Sequence, residues 1–130
     1  GLDFASVHAP VADGDALRAA SAGISAAMSR PGACFERGVW TLTSLPTLSQ
    51  HPDYPRPPAS CMDDVYFRSE FQVIQALGEA WAGFSVRVLM TPWTELSDED
   101  RARITASLAT MSPATRSYKG LHEIAELLGV

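Results

Sequence analysis

The sequence predicts an α+β fold. It is read as a single compact domain in which a small sheet of two to four strands packs against about four helices, in the order α-β-α-β-α-α. Two stretches rich in β-branched and aromatic residues alternate with a period of two: Val39-Trp40-Thr41-Leu42-Thr43, and the run from Phe84 to Thr91. Around them, apolar residues recur every three to four positions, bounded by the Ser, Asp, Gly and Pro residues that start and stop helices. The length of 130 residues suffices to bury one core, and neither an internal repeat nor a linker divides the chain.

Residues 1–12 carry no sustained period and read as a flexible lead-in or an extra strand. Asp13-Gly14-Asp15 then supplies a helix start, and Leu17, Ala20, Ile24, Ala27 and Met28 make one helical face before Pro31-Gly32 stops it. The strand over residues 39–43 is halted by Pro46. From Pro46 to Met62 prolines fall at positions 46, 52, 55, 57 and 58, which excludes a helix or a central strand. A structureless segment of that length is uncommon inside a domain and is often functional.

Residues 64–82 read as the longest helix and the centre of the core. Phe67, Phe71, Ile74, Leu77 or Gly78, and Trp81 lie on the inner face, with Arg68, Gln72, Gln75 and Glu79 on the solvated one. The second strand, residues 84–91, follows Gly83. Ser97, with an acid three residues on, forms a capping box for a helix striped by Ile104, Leu108 and Met111 and closed by Ser112-Pro113. A last helix over residues 118–128 buries Leu121, Ile124, Ala125 and Leu128, with Gly129 as its cap.

Charge narrows the partners. The net charge is −5, and the bases are nine arginines and one lysine with no basic stripe. Phosphate backbones and anionic lipid both need clustered bases, so neither nucleic acid nor an anionic membrane surface is the expected partner. No apolar run reaches the ~20 residues of a membrane helix. The Arg and Ala bias points to a bacterial origin. The sequence begins at Gly1 rather than Met, without a signal-peptide pattern. Compartment is therefore tied to Cys34 and Cys61: cytoplasmic if they are reduced, periplasmic or secreted if they are bridged. A bridge would close roughly 27 residues and contribute on the order of 3 kcal/mol.

There is no GxSxG elbow, P-loop or GxGxxG after a strand. His51-x-Asp53 with Cys61 is a partial ligand set on loose spacing, so no metal and no cofactor are expected. Asp63-Asp64 and Asp98-Glu99-Asp100 sit in first turns, where the helix dipole accounts for them. The stretch from Gly120 to Val130 resembles the first helix of a helix-turn-helix, with Ile124-Ala125-Glu126-Leu127-Leu128-Gly129 before the turn. The resemblance implies a recognition helix that this sequence does not go on to supply, and the acidic charge opposes DNA binding.

What remains is the proline loop, whose extended conformers lose little entropy on docking. The expected function is a non-enzymatic interaction or regulatory domain that binds a partner protein through its acidic surface and the loop over residues 46–62. His51, Asp53, Tyr54, Arg56 and Trp93 are the expected contacts. The alternative is a small-molecule-binding or catalytic domain, with a pocket beneath that loop lined by Trp40, Tyr54, Trp81 and Trp93.

Overall fold

The computed structural model describes residues 6, 8, 11, 14–51, 53–78 and 81–130. In chain order they form α1 (Gly14–Met28), β1 (Cys34–Thr43), a 3-10 turn (Met62–Asp64), β2 (Tyr66–Ala76), β3 (Ala82–Pro92) and a second 3-10 turn (Trp93–Glu95). Three helices follow: α2 (Asp98–Ala109), α3 (Pro113–Lys119) and α4 (His122–Leu128). The strands make an antiparallel sheet in the order β1-β2-β3. The α+β class, the small sheet and the helix count agree with the sequence reading. The expected Asp13 cap and most of the lead-in lie outside the described residues.

Strand β1 begins at Cys34 rather than Val39, and one element differs in kind. The segment read as the longest helix is strand β2. Phe67 and Phe71 are four residues apart, a spacing that shares a face in a helix and also in a strand, so periodicity cannot separate the two. Composition tips the balance: Tyr66, Phe67, Phe71, Val73 and Ile74 are aromatic or β-branched and suit a pleated surface. Arg68 and Glu70 confirm the outcome, forming an ion pair of 2.8 Å across an i,i+2 spacing. In a helix those side chains diverge, whereas in a strand they share a face.

The chain packs as two compact units. The first comprises Gly1–Val39 and Phe71–Arg87. Ala76 N–H donates to Ala33 C=O at 2.9 Å and Arg37 Nε to Gln72 Oε1 at 2.6 Å, which sets β1 against β2. Leu77 N–H donates to Trp81 C=O at 2.8 Å and closes the β2–β3 hairpin. Helix α1 has no buried residue, and Phe71 and Trp81, expected in the core, are 48% and 75% exposed.

The second unit comprises Trp40–Glu70 and Val88–Val130 and holds all the buried apolar residues among those described. Leu42, Val65, Leu108 and Leu121 are fully buried, joined by Trp93, Ile104 and Ile124. Val65 C=O accepts from Trp93 N–H at 2.8 Å, binding the two 3-10 turns together. Ser97 caps α2 as expected, its hydroxyl accepting from Asp100 N–H at 3.1 Å. The last expected helix is in fact two. Ser112 caps a new helix with Pro113 at its first position, where proline's missing N–H costs nothing. Gly120 then adopts φ 65 and breaks α3 from α4, a left-handed conformation that favours glycine.

Candidate functional site

The chain leaves β1 at Leu42-Thr43-Ser44 and enters the proline loop, which is held at several points. Thr43 Oγ1 donates to Gln50 Oε1 at 3.0 Å and accepts from Leu45 N–H at 3.1 Å. Gln50 Nε2 donates to Leu45 C=O at 3.2 Å and Thr47 C=O at 2.8 Å. Ser44 Oγ donates to Pro57 C=O, and Arg68 Nη1 to Leu48 C=O at 2.6 Å. At the far end Asp64 Oδ2 accepts from Ser60 N–H at 2.9 Å and Cys61 N–H at 3.3 Å, closing a 3-10 turn rather than starting the expected helix. Anchored in this way, Pro57, Pro58 and Ala59 form one wall of a cleft of about 400 Å³. Leu42 and Ile124 line it from the core, and the start of α4 lines it from the other side.

Three ionisable side chains line this cleft: Arg56 from the loop, and His122 and Glu123 from the first turn of α4. All three are exposed, and none makes a hydrogen bond or ion pair within the described structure. Gly120 lines the same cleft, and a Cβ built there would lie 3.0 Å from Arg56 Nη1. The glycine therefore gives the guanidinium room to lie close to the break between α3 and α4.

The other expected contacts are distributed differently. His51, Asp53 and Tyr54 close a local turn: Tyr54 N–H donates to His51 C=O at 3.0 Å, and Asp53 N–H to His51 Nδ1 at 3.3 Å. The His51 and Tyr54 rings meet edge to face at 6.2 Å. Trp93, expected at the surface, is a core residue with 7% exposure, because the 3-10 turn after β3 directs it inward among Val65 and the helices. The four aromatic residues expected around a pocket do not line this cleft. Trp40 stacks on Phe67 with centroids 6.0 Å apart, and none of Trp40, Tyr54, Trp81 and Trp93 lines the cleft. Cys34 and Cys61 are free, exposed thiols rather than a bridge. Among the described residues no group of three or more His, Cys, Asp or Glu is placed to hold a metal ion, and no helix is long and apolar enough to cross a membrane.

A second polar cluster went unread in the sequence because Arg68 and Gln72 were assigned to a solvated helix face. The Arg68–Glu70 pair is largely buried, with side chains 11% and 22% exposed. Lys119, at the end of α3, donates to Trp40 C=O and lies 5.3 Å from the centroid of the Trp40 ring. Burial lowers the Lys119 pKa below its usual value, while the nearby Glu70 carboxylate raises it in part. The signal for this cluster was the Arg68-Ser69-Glu70 spacing, which pairs charges only on a strand.

Comparison with known proteins bears on the chemistry. A family model described as haem-dependent oxidative N-demethylase, alpha subunit-like, matches residues 1–128. No curated protein matches the chain. The family match overturns the expectation of a non-enzymatic interaction domain, because the family is that of an enzyme subunit. The absence of a catalytic motif misled the sequence reading, since motifs of local sequence do not report residues brought together from a loop and a distant helix.

The family name implies a haem. Such a group needs an axial donor set in an apolar pocket that covers the macrocycle. The cleft, at about 400 Å³, lies near the lower end of the ~300–1,000 Å³ range of ligand pockets. Its imidazole, His122, is exposed and lacks the hydrogen-bond partner that orients a resident metal ligand. This cleft does not fit the macrocycle.

Proposed function

Because the chain belongs to the haem-dependent oxidative N-demethylase, alpha subunit-like family, we propose that it serves oxidative N-demethylation by binding the small N-methylated amine in the cleft beneath the proline loop. The observation that carries this reading is the set of unpaired side chains Arg56, His122 and Glu123 around one cleft, in a chain whose family acts on amines. An aliphatic amine is protonated at neutral pH, so its recognition calls for a carboxylate, and Glu123 supplies one. Oxidation at nitrogen or its α-carbon requires the lone pair and hence loss of that proton. His122 is the imidazole at the cleft that can accept it. Leu42 and Ile124 offer apolar contact to the methyl groups. The alpha-subunit designation supports assembly with further subunits.

The test is calorimetric titration of the protein with a panel of N-methylated amines. Binding in the wild type that falls at least about tenfold in Glu123→Gln, with an unchanged thermal midpoint, is the expected result. If no N-methylated amine binds, the reading is wrong.

A further inference from the structure

We propose that the open face of the sheet in the first unit is a self-complementary surface on which a second copy of this chain docks. The surface lies apart from the cleft and is independent of the amine-binding reading. Register defines the face. Ala76 N–H donates to Ala33 C=O, and Arg37 bonds Gln72 in the same register, so Glu36 lies opposite Val73 and Gly38 opposite Phe71. Leu77 N–H donates to Trp81 C=O and Trp93 N–H to Val65 C=O, again in one register. Ser85 therefore lies opposite Val73, and Arg87 opposite Phe71. Residues directly opposite share a face, as do those two apart on a strand. Phe71, Val73, Gln75 and Leu77 thus run down the middle of one face, with Glu36 on the β1 edge and Arg87 on the β3 edge.

That face is uncovered. Every described residue on it within the unit is exposed except Val73 and Gly83, which are half-buried, and the Leu77 side chain lies against Gly83. Phe71, Leu77 and Trp81 are 48%, 68% and 75% exposed. Together they present roughly 400 Å² of apolar surface, a patch of the size that marks an interaction site. It is about half of the ~800 Å² that each partner buries in a standard interface. The unit holds none of the described buried apolar residues, so this sheet gains little from a core of its own.

Charge names the occupant. Glu36 and Arg87 sit two strand spacings (about 10 Å) apart across the sheet and about 7 Å apart along it, too far to pair within one chain. Neither makes a hydrogen bond or an ion pair within the described structure. A twofold axis along the strands, with two such faces packed about 10 Å apart, puts β1 of each copy over β3 of the other. Glu36 then faces the partner's Arg87, within reach of two long side chains, and Arg87 faces the partner's Glu36. Phe71 and Val73 meet their own counterparts near the axis. Net charge does not oppose this contact: the first unit holds five acids against four arginines, whereas the second holds ten acids against six bases.

The experiment is sedimentation velocity of the whole chain over a concentration series. It is repeated on Trp81→Ser, on Glu36→Arg and on the double variant Glu36→Arg with Arg87→Glu. All three positions are exposed, so thermal midpoints at low concentration should match wild type. Wild type is expected to dimerise, and each single variant to weaken the dimer at least about tenfold. The double variant exchanges the signs of both ion pairs and should recover the wild-type dissociation constant. A wild type that stays monomeric at every concentration would overturn the proposal. So would a dimer that the single variants leave unchanged, or a double variant no tighter than Glu36→Arg. Haemin that binds the monomer and quenches its fluorescence, with that quenching lost in Trp81→Phe, would overturn it in favour of a flat apolar ligand.

Discussion

Lys119 reaches from the end of α3 to Trp40, donating to its carbonyl while the ammonium lies over its ring, with Glu70 near enough to act on its charge. Burial disfavours the charged form more than Glu70 favours it, so the folded-state pKa lies below the usual 10.5. The sign of the effect on stability follows by linkage. Between the lowered folded value and 10.5 the unfolded chain binds more protons than the folded one, so the Lys119 contribution rises with pH across that window. Below the window the desolvation cost is present in full. Wild type should therefore gain stability relative to Lys119→Met as pH approaches 10.5, read from urea midpoints at several pH values. A difference that is flat with pH would show that burial is not what sets this pKa.

At the scale of elements, β2 is where the sequence reading and the structure part. The segment satisfies a helical template through Phe67, Phe71 and Ile74, yet its neighbours β1 and β3 offer it hydrogen-bonded edges on both sides. Local periodicity contains no term for that pairing. The consequence is energetic. Arg68, expected to be solvated, and Glu70 are largely withdrawn from water and pair with each other. Glu70→Gln is expected to destabilise the fold by about 3 kcal/mol, since removing one partner strands the other charge. Restoring an uncharged pair with Arg68→Met in the same chain should recover much of that loss. A single-variant cost below about 0.5 kcal/mol would place the pair among ordinary surface ion pairs. By contrast α2 was legible almost to the residue, because Ser97 and Asp100 fix its start through a bond three residues long. The split of the last helix was not read: one helix was expected over residues 118–128, whereas Gly120 takes a left-handed conformation and divides it.

Across the whole chain, the buried apolar residues described belong to the second unit, while helix α1 of the first has none. Local stability follows burial of this kind. Native-state hydrogen exchange should therefore find amides of α2 near Leu108 protected to the level of global unfolding. Those of α1 should open at lower free energy, independently of denaturant-sensitive global unfolding. Equal protection in α1 and α2 would contradict this. The family assignment, taken with the two units, also explains why the function was illegible. The candidate site draws Arg56 from a loop and His122 and Glu123 from a helix more than sixty residues later. None of them stands in a recognisable motif, and His122 and Glu123 fell inside a stretch that resembles a DNA-binding helix.

The sequence by itself determined what depends on neighbours within a few residues. That includes the α+β class, strands β1 and β3, the Ser97 cap, the Gly129 stop and the anomalous proline segment. Tertiary structure alone decided β2, the inward turn of Trp93 and the meeting of Arg56 with α4 at one cleft. The physical reason is shared. Caps and turns are satisfied by bonds within one turn of chain, whereas strand pairing, burial and cleft formation are settled by residues far apart in sequence, whose contacts no local period encodes.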